Sequence, residues 1–198
     1  MIARLLVMAM AVMVAGCSSP RPPSPPPSPA PVDRVELGRR LFSDARLSAD
    51  GHTSCATCHD PKRAFTDGLP VAHGRNGPLQ RNTPTLLNLE ARAPYFWDGR
   101  ARTLEEQALV PITNPQEMGR SLDDLVRLLS SLPEYTAAFG AEGITPDTIA
   151  RALAAYERTL VSGRSRYDRY LFGERDALTF EELKGLEVFE GKGECTTC

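Results

Sequence analysis

The sequence predicts an all-α fold. Three segments open on recognisable helix caps, apolar residues recur at helical spacing behind each, and no segment alternates for long enough to be a strand. The chain has 198 residues, room for one domain or one and a half. Its 41% hydrophobic and 24% charged residues are close to the globular average, enough for a packed core. The formal net charge is −2, from 23 basic and 25 acidic residues, which excludes a strongly basic nucleic-acid binder and gives no support for a polybasic membrane surface.

The elements follow in chain order. Residues 1–16 read as an export signal, with positive charge from Arg4 and the amino terminus and an apolar run from Leu5 to Ala15 too short to span a bilayer. Val14-Ala15-Gly16-Cys17 is similar to the bacterial lipoprotein cleavage box, in which the Cys becomes the lipidated first residue; an ordinary secretory signal with a chance Cys is the competing reading. Residues 17–31 form a linker. Its Pro-rich stretch from Pro20 to Pro31 can build neither helix nor sheet, and as polyproline II it reaches roughly 35–40 Å. A lipid anchor beside such a stalk predicts an exported, membrane-tethered soluble domain, held by the lipid alone.

Residues 32–165 are expected to form one helical domain and residues 166–198 the start of a second. Ser121, followed by Asp123 and Asp124 and then Leu125, Val126, Leu128 and Leu129, gives a cap, an acidic first turn and an apolar stripe that ends before Pro133. Thr145-Pro146 opens another helix, with Ile149, Leu153, Tyr156 and Leu160 on one face. Thr179 with Glu182 is a capping box leading into Leu183, Leu186 and Phe189. Residues 60–102 read as a long functional loop, rich in Gly, Pro, Asn and Arg. An internal echo links the two ends: Leu37-Gly38-Arg39-Arg40-Leu41-Phe42 and Lys184-Gly185-Leu186-Glu187-Val188-Phe189 each precede a Cys-x-x-Cys pair, which suggests two similar modules.

The chemistry concentrates at Cys55-Ala56-Thr57-Cys58-His59. Two thiols three apart can add to the two vinyl groups of haem, and the next residue's imidazole can ligate the iron. A redox dithiol would want a βαβ context, and a four-Cys zinc site would want its pairs closer in sequence. Cys195-Thr196-Thr197-Cys198 has the same thiol spacing behind the repeated helix and reads as a second haem attachment site. All five Cys are then allocated, one to lipid and four to two haems c. His52 is read as a surface loop side chain. His73 sits in a Gly-rich loop, where a lone His is more often solvated than a ligand, and both readings stay open on its surroundings alone.

The stretch from Leu37 to Gly119 resembles the amino-terminal module of the bacterial di-haem cytochrome c peroxidase family. The segments that carry the resemblance, besides the first echo and the Cys-x-x-Cys-His motif, are Ala64-Phe65-Thr66-Asp67-Gly68, Arg81-Asn82-Thr83-Pro84-Thr85-Leu86, Phe96-Trp97-Asp98-Gly99-Arg100, and Glu106-Gln107-Ala108 leading to Asn114-Pro115-Gln116-Glu117-Met118-Gly119. The resemblance implies two cytochrome c-like modules and a peroxide-reacting haem on Cys55, Cys58 and His59. It implies a distal pair, Gln107 and Glu117, with Glu117 as acid–base catalyst. Trp97 would relay electrons between haems, and Asn82 would contribute to an interdomain calcium site whose other ligands come from the second module. His73 falls near the histidine that caps the peroxidatic iron in the oxidised resting form, although Ala72 and Arg75 stand where the peroxidases carry Gly and Trp. Met118 is read as packing.

The expected activity is reduction of hydrogen peroxide with electrons from a small periplasmic cytochrome c or cupredoxin, in a periplasmic protein that is a candidate homodimer. The alternatives are a di-haem oxidase of protein side chains, like the enzymes that mature tryptophan tryptophylquinone, and a non-catalytic electron-transfer cytochrome.

Overall fold

The computed structural model describes residues 33–197. The export segment, Cys17, the Pro-rich linker and Cys198 lie outside the described residues. Among the described residues eight α-helices and several 3-10 turns carry the fold, and the strands are a single two-residue antiparallel ladder, β1 (His73–Gly74) on β2 (Gly77–Pro78). The all-α expectation holds. No helix among the described residues is long and apolar enough to cross a membrane.

Two helices form the spine. α1 (Arg34–Ser43) is capped by Asp33, whose carboxylate accepts from the Val35 N–H. α6 (Pro146–Arg158) opens on a Thr145–Thr148 capping box with Pro146 in its first turn. They cross at Gly38, where a Cβ would lie 1.9 Å from the Ala152 carbonyl oxygen. Only a residue without a side chain allows that approach. Leu37, Leu41 and Phe42 of α1 and Ile149 and Leu153 of α6 are buried in the core so formed.

α3 (Leu104–Thr113) lies against α6 and is tied to it by a bidentate ion pair, Arg158 to Glu105, at 2.7 and 3.1 Å. α4 (Leu122–Ser130) starts at Ser121, whose hydroxyl accepts from the Asp124 N–H, and buries Leu125 and Leu129. Pro133 both follows α4 and opens α5 (Pro133–Phe139). α7 (Arg166–Leu171) and α8 (Phe180–Glu190) follow, and α8 starts at the Thr179–Glu182 box and buries none of its residues.

The 60–102 segment has little regular structure, as expected. Its turns are fixed by single bonds: Asp60 N–H to Thr66 O, Thr83 Oγ1 to Asp67 Oδ2 at 2.9 Å, and Thr85 Oγ1 to Ala64 O at 2.5 Å. Asn88 ties the segment to the chain just after α6, its N–H donating to Leu160 O and its Oδ1 accepting from Ser162 N–H. The space enclosed between α6, α3 and this segment is the site.

Candidate functional site

The short helix α2 (Cys55–Cys58) stands at the entrance to that space. A reciprocal cap, Ser54 N–H to Thr57 Oγ1 at 3.0 Å with the Ser54 hydroxyl beside it, fixes its first turn. One helical turn separates the two thiols, which therefore share a face with the residue that follows, His59. All three line a cavity of about 550 Å³ that is also bordered by Leu153 and Glu157 of α6, by Gln107 and Pro111 of α3, and by Glu117 and Trp97. Cofactor pockets run roughly 300–1,000 Å³.

His59 is oriented from behind. Its Nδ1 lies 3.0 Å from the Phe65 carbonyl oxygen. A carbonyl only accepts, so Nδ1 carries the proton and the lone pair is on Nε2. Burial also pushes the ring's pKa down, which keeps it neutral, as an iron ligand must be. The carbonyl reaches it because Ala64 and Phe65 both adopt left-handed backbone, φ 52° and 58°. Non-Gly residues there cost of order 1–3 kcal/mol each, strain that collects at functional sites.

The thiols argue against redox or zinc chemistry. Burial pushes Cys55 up to about 12 and raises Cys58 as well, the reverse of the shift a reactive dithiol or zinc thiolate needs. Among the described residues no group of three or more His, Cys, Asp or Glu is placed to hold a metal ion. The residues do fit a haem. The wall offers two thiols for its vinyl groups and one neutral imidazole for its iron. The rim carries Arg81, Arg92 and Arg100, a cationic match for two propionates. Arg81 and Arg100 share Asp98 at 3.0 and 2.8 Å.

Glu117 and Gln107 face the same cavity. Pro111 inside α3 has no N–H to give to the Gln107 carbonyl, and the chain then folds back, with Met118 N–H bonded to Pro111 O and Gly119 N–H to Asn114 O. That reverse turn brings Glu117 under the helix end. Its Oε1 accepts from Asn114 Nδ2 at 2.7 Å. Burial raises the carboxyl's pKa, against the opposing pull of this bond and of the Arg100 charge. Met118 is buried in the core, as its packing role requires.

Trp97 and Asn82 sit together at the cavity mouth. Trp97 is 64% exposed and donates from Nε1 to the Asn82 carbonyl at 3.0 Å, while Asn82 Nδ2 donates to Leu69 O. His73 opens β1. Its side chain is exposed and absent from the cavity wall, although Ala72 and Gly74 are in it. The ladder gives the reason: side chains alternate along an extended segment, and Ala72 is the one turned inward. Backbone bonds from Ala72 N–H to Arg81 O, Leu79 N–H to Ala72 O and Arg75 N–H to Gln116 O hold that register. His52 is exposed. Cys195 is exposed too, in a 3-10 turn at the end of the described residues.

Two residues of the site escaped the sequence reading. Asn114, quoted only as part of a motif, is the hydrogen-bond partner of Glu117. Glu157 lies four residues beyond Leu153 on the buried stripe of α6, and that spacing was its only signal.

A neutral, back-bonded imidazole beside paired thiols, opening on an enclosed cavity in an all-α frame, defines a c-type haem module with a cytochrome c-like fold. Residues 32–176 match the profile of the di-haem cytochrome c peroxidase family, and the chain belongs to that family. It is 44% identical over 172 residues to the methylamine utilization protein MauG of Methylorubrum extorquens, covering 84% of this chain and 49% of that protein. It is 40% identical over 173 residues to the cytochrome c551 peroxidase of Nitrosomonas europaea, covering 84% and 51%. Among solved structures, a MauG-like protein associated with microbial copper homeostasis superposes with a TM-score of 0.77 at 38% identity, over 91% of this chain and 55% of that one. The family implies haem cofactors. The chain spans about half the length of the curated relatives it matches.

Proposed function

We propose that the complete protein is a di-haem peroxidase, reducing hydrogen peroxide to two waters with two protons and two electrons from a small periplasmic cytochrome c or cupredoxin. The present chain supplies the peroxide-reacting half. The observation that carries this reading is the half-buried carboxyl of Glu117, lining the same cavity as His59. When bound, the haem supplies the iron on which the O–O bond is cleaved and the electrons are delivered. The protein's part is the proton. Glu117 accepts it from the inner peroxide oxygen and returns it to the outer one, a transfer worth about 10²–10⁴ in rate. Its raised pKa brings it toward the working pH of such a catalyst. Gln107 borders the same space and holds the peroxide by hydrogen bonding.

The rest of the reading concerns the whole protein. Cys195 and Cys198 hold the second haem in a module continuing past them. Trp97, at the exposed cavity mouth, relays electrons from it, and Asn82 beside it contributes to a calcium site completed by that module. Residues 1–16 direct export to the periplasm, and Cys17 carries the lipid anchor. A second reading, oxidation of protein side chains by the same di-haem machinery, is favoured by one observation: His73 lies outside the cavity, where a peroxidase resting state would want it inside.

The test is Glu117→Gln in the complete, haem-loaded protein. Both haem spectra are expected to persist while peroxide turnover falls by about 10²–10⁴. Turnover within about twofold of wild type removes Glu117 from catalysis and leaves the electron-transfer cytochrome ahead.

A further inference from the structure

Glu157 has no role in the mechanism above, yet it is among the most deeply buried acids of the molecule. It is 5% exposed, and its Oε2 has no hydrogen-bond partner. It sits on the stripe of α6 that holds Ile149 and Leu153, where helical spacing calls for another apolar residue, and it lines the same cavity as Cys55, Cys58 and His59. A carboxylate buried without partners costs several kcal/mol, so such a group is retained for function or is neutral.

The surroundings leave it unpaired. The adjacent Arg158, the nearest cation, is committed to Glu105 in a bidentate pair, and Glu105 itself repels a charge on Glu157. Cys55 of α2, Tyr95 of the loop and Tyr156 of α6 are the other titratable groups facing it, and each feels its charge. All three are neutral near pH 7, and Cys55 loses its proton altogether once its sulfur is bonded to haem. Arg81, Arg92, Arg100 and Glu117 border the same cavity, but among the described residues Arg158 is the cation whose charge bears on Glu157, and it is already paired.

We propose that Glu157 is the redox-linked proton site of the haem cavity: its carboxylate takes up one proton from solvent as one electron reaches the haem held by Cys55, Cys58 and His59, and releases it as that electron leaves. The inference rests on the haem reading of the site. The balance is simple. One electron comes from an external one-electron donor, one proton from water, and the only bond formed is the O–H of the carboxyl. The driving force is electrostatic. Adding an electron removes positive charge from the cavity, and in a low-dielectric enclosure the neighbouring carboxylate is then less favoured than its acid. Burial already pushes Glu157 up to about 8 before any iron charge acts on it. The positive charge of the oxidised centre favours the carboxylate, and its loss on reduction favours the acid.

The experiment is a spectroelectrochemical titration of the complete, haem-loaded protein with small-molecule mediators as one-electron donors, from about pH 6 to pH 9. Covalent haem at Cys55 and Cys58 is first verified by mass and absorption spectrum; if it is missing, the haem reading fails, not this inference. The midpoint potential of that haem is expected to fall as pH rises, approaching a tenfold change in the reduction equilibrium per pH unit, or about 59 mV for one electron. Glu157→Gln should flatten the slope and Glu117→Gln should keep it. A wild-type potential independent of pH, or a slope unchanged in Glu157→Gln, overturns the proposal. If the variant does not load haem, the wild type carries the test by redox-difference infrared spectroscopy. A protonated-carboxyl stretch that appears on reduction and shifts in D2O supports the proposal, and its absence overturns it.

Discussion

Glu117 is held between opposing effects, of which burial is the larger. Burial raises its pKa, while the Asn114 hydrogen bond and the Arg100 charge lower it. A hydrogen bond to a charged group is worth about 1.5–3 kcal/mol, and 1.36 kcal/mol is one pKa unit. Replacing Asn114 by Ala removes the donor that favours the carboxylate, so the pKa rises further. The catalytic base is the deprotonated form, lost as pH falls through that pKa. The acidic limb of kcat/KM for peroxide is therefore expected to move to higher pH in Asn114→Ala. A limb that stays in place means that Glu117 is not the group titrating. His73 allows a separate check, because its ring stands outside the cavity and Ala72 occupies the inward position. The His73→Gly variant should leave the oxidised absorption spectrum unchanged, whereas a change to a high-spin spectrum would place this imidazole on the iron of the loaded resting protein.

Among the elements, the α1–α6 crossing is the most exacting. Overpacking a core usually costs about 1–3 kcal/mol, because side chains can shift to relieve it. At Gly38 the obstacle is the Ala152 carbonyl, 1.9 Å from an added Cβ, so trimming a neighbouring side chain brings no relief. Gly38→Ala should cost about 3 kcal/mol or more, read as a lower denaturant midpoint with unchanged slope, and Ala152→Gly should not rescue it. The helices that the sequence made legible were those with local signals: Ser121, Thr145 and Thr179 cap α4, α6 and α8. α3 was hidden because Pro111 lies inside it, and α5 because Pro133 reads equally as an end and as a beginning. The attachment motif was legible because its spacing is its chemistry. The inward turn of Ala72 was not, since it depends on hydrogen bonds to Arg81 and on the Arg75–Gln116 contact across 41 positions of chain. Glu157 was hidden for a related reason: a buried acid on an apolar stripe looks in sequence like any exposed helical Glu.

At the scale of the whole molecule the two echoed helices differ in what covers them. In the first copy Leu41 is 0% and Phe42 1% exposed, while their counterparts Val188 and Phe189 are 53% and 51% exposed. Phe180, at the start of the same helix, and Phe172, just after α7, are exposed as well. A patch of large apolar side chains on one element marks a surface that meets another. Gly38 meets the backbone of α6, but Gly185, its counterpart, has no atom within 4 Å of an added Cβ. If the second module repeats the first, a helix beyond Cys198 crosses α8 at Gly185. In the present residues Gly185→Ala would meet nothing, and helix propensity alone would stabilise it by roughly 0.5–1 kcal/mol. In the complete protein the same substitution should instead destabilise, by an amount comparable to Gly38→Ala, because the crossing would again be backbone against Cβ. Denaturant melts of the complete Gly185→Ala protein decide between these signs. A stabilised variant would mean that α8 is not crossed there and that the echo between the two segments stops at sequence.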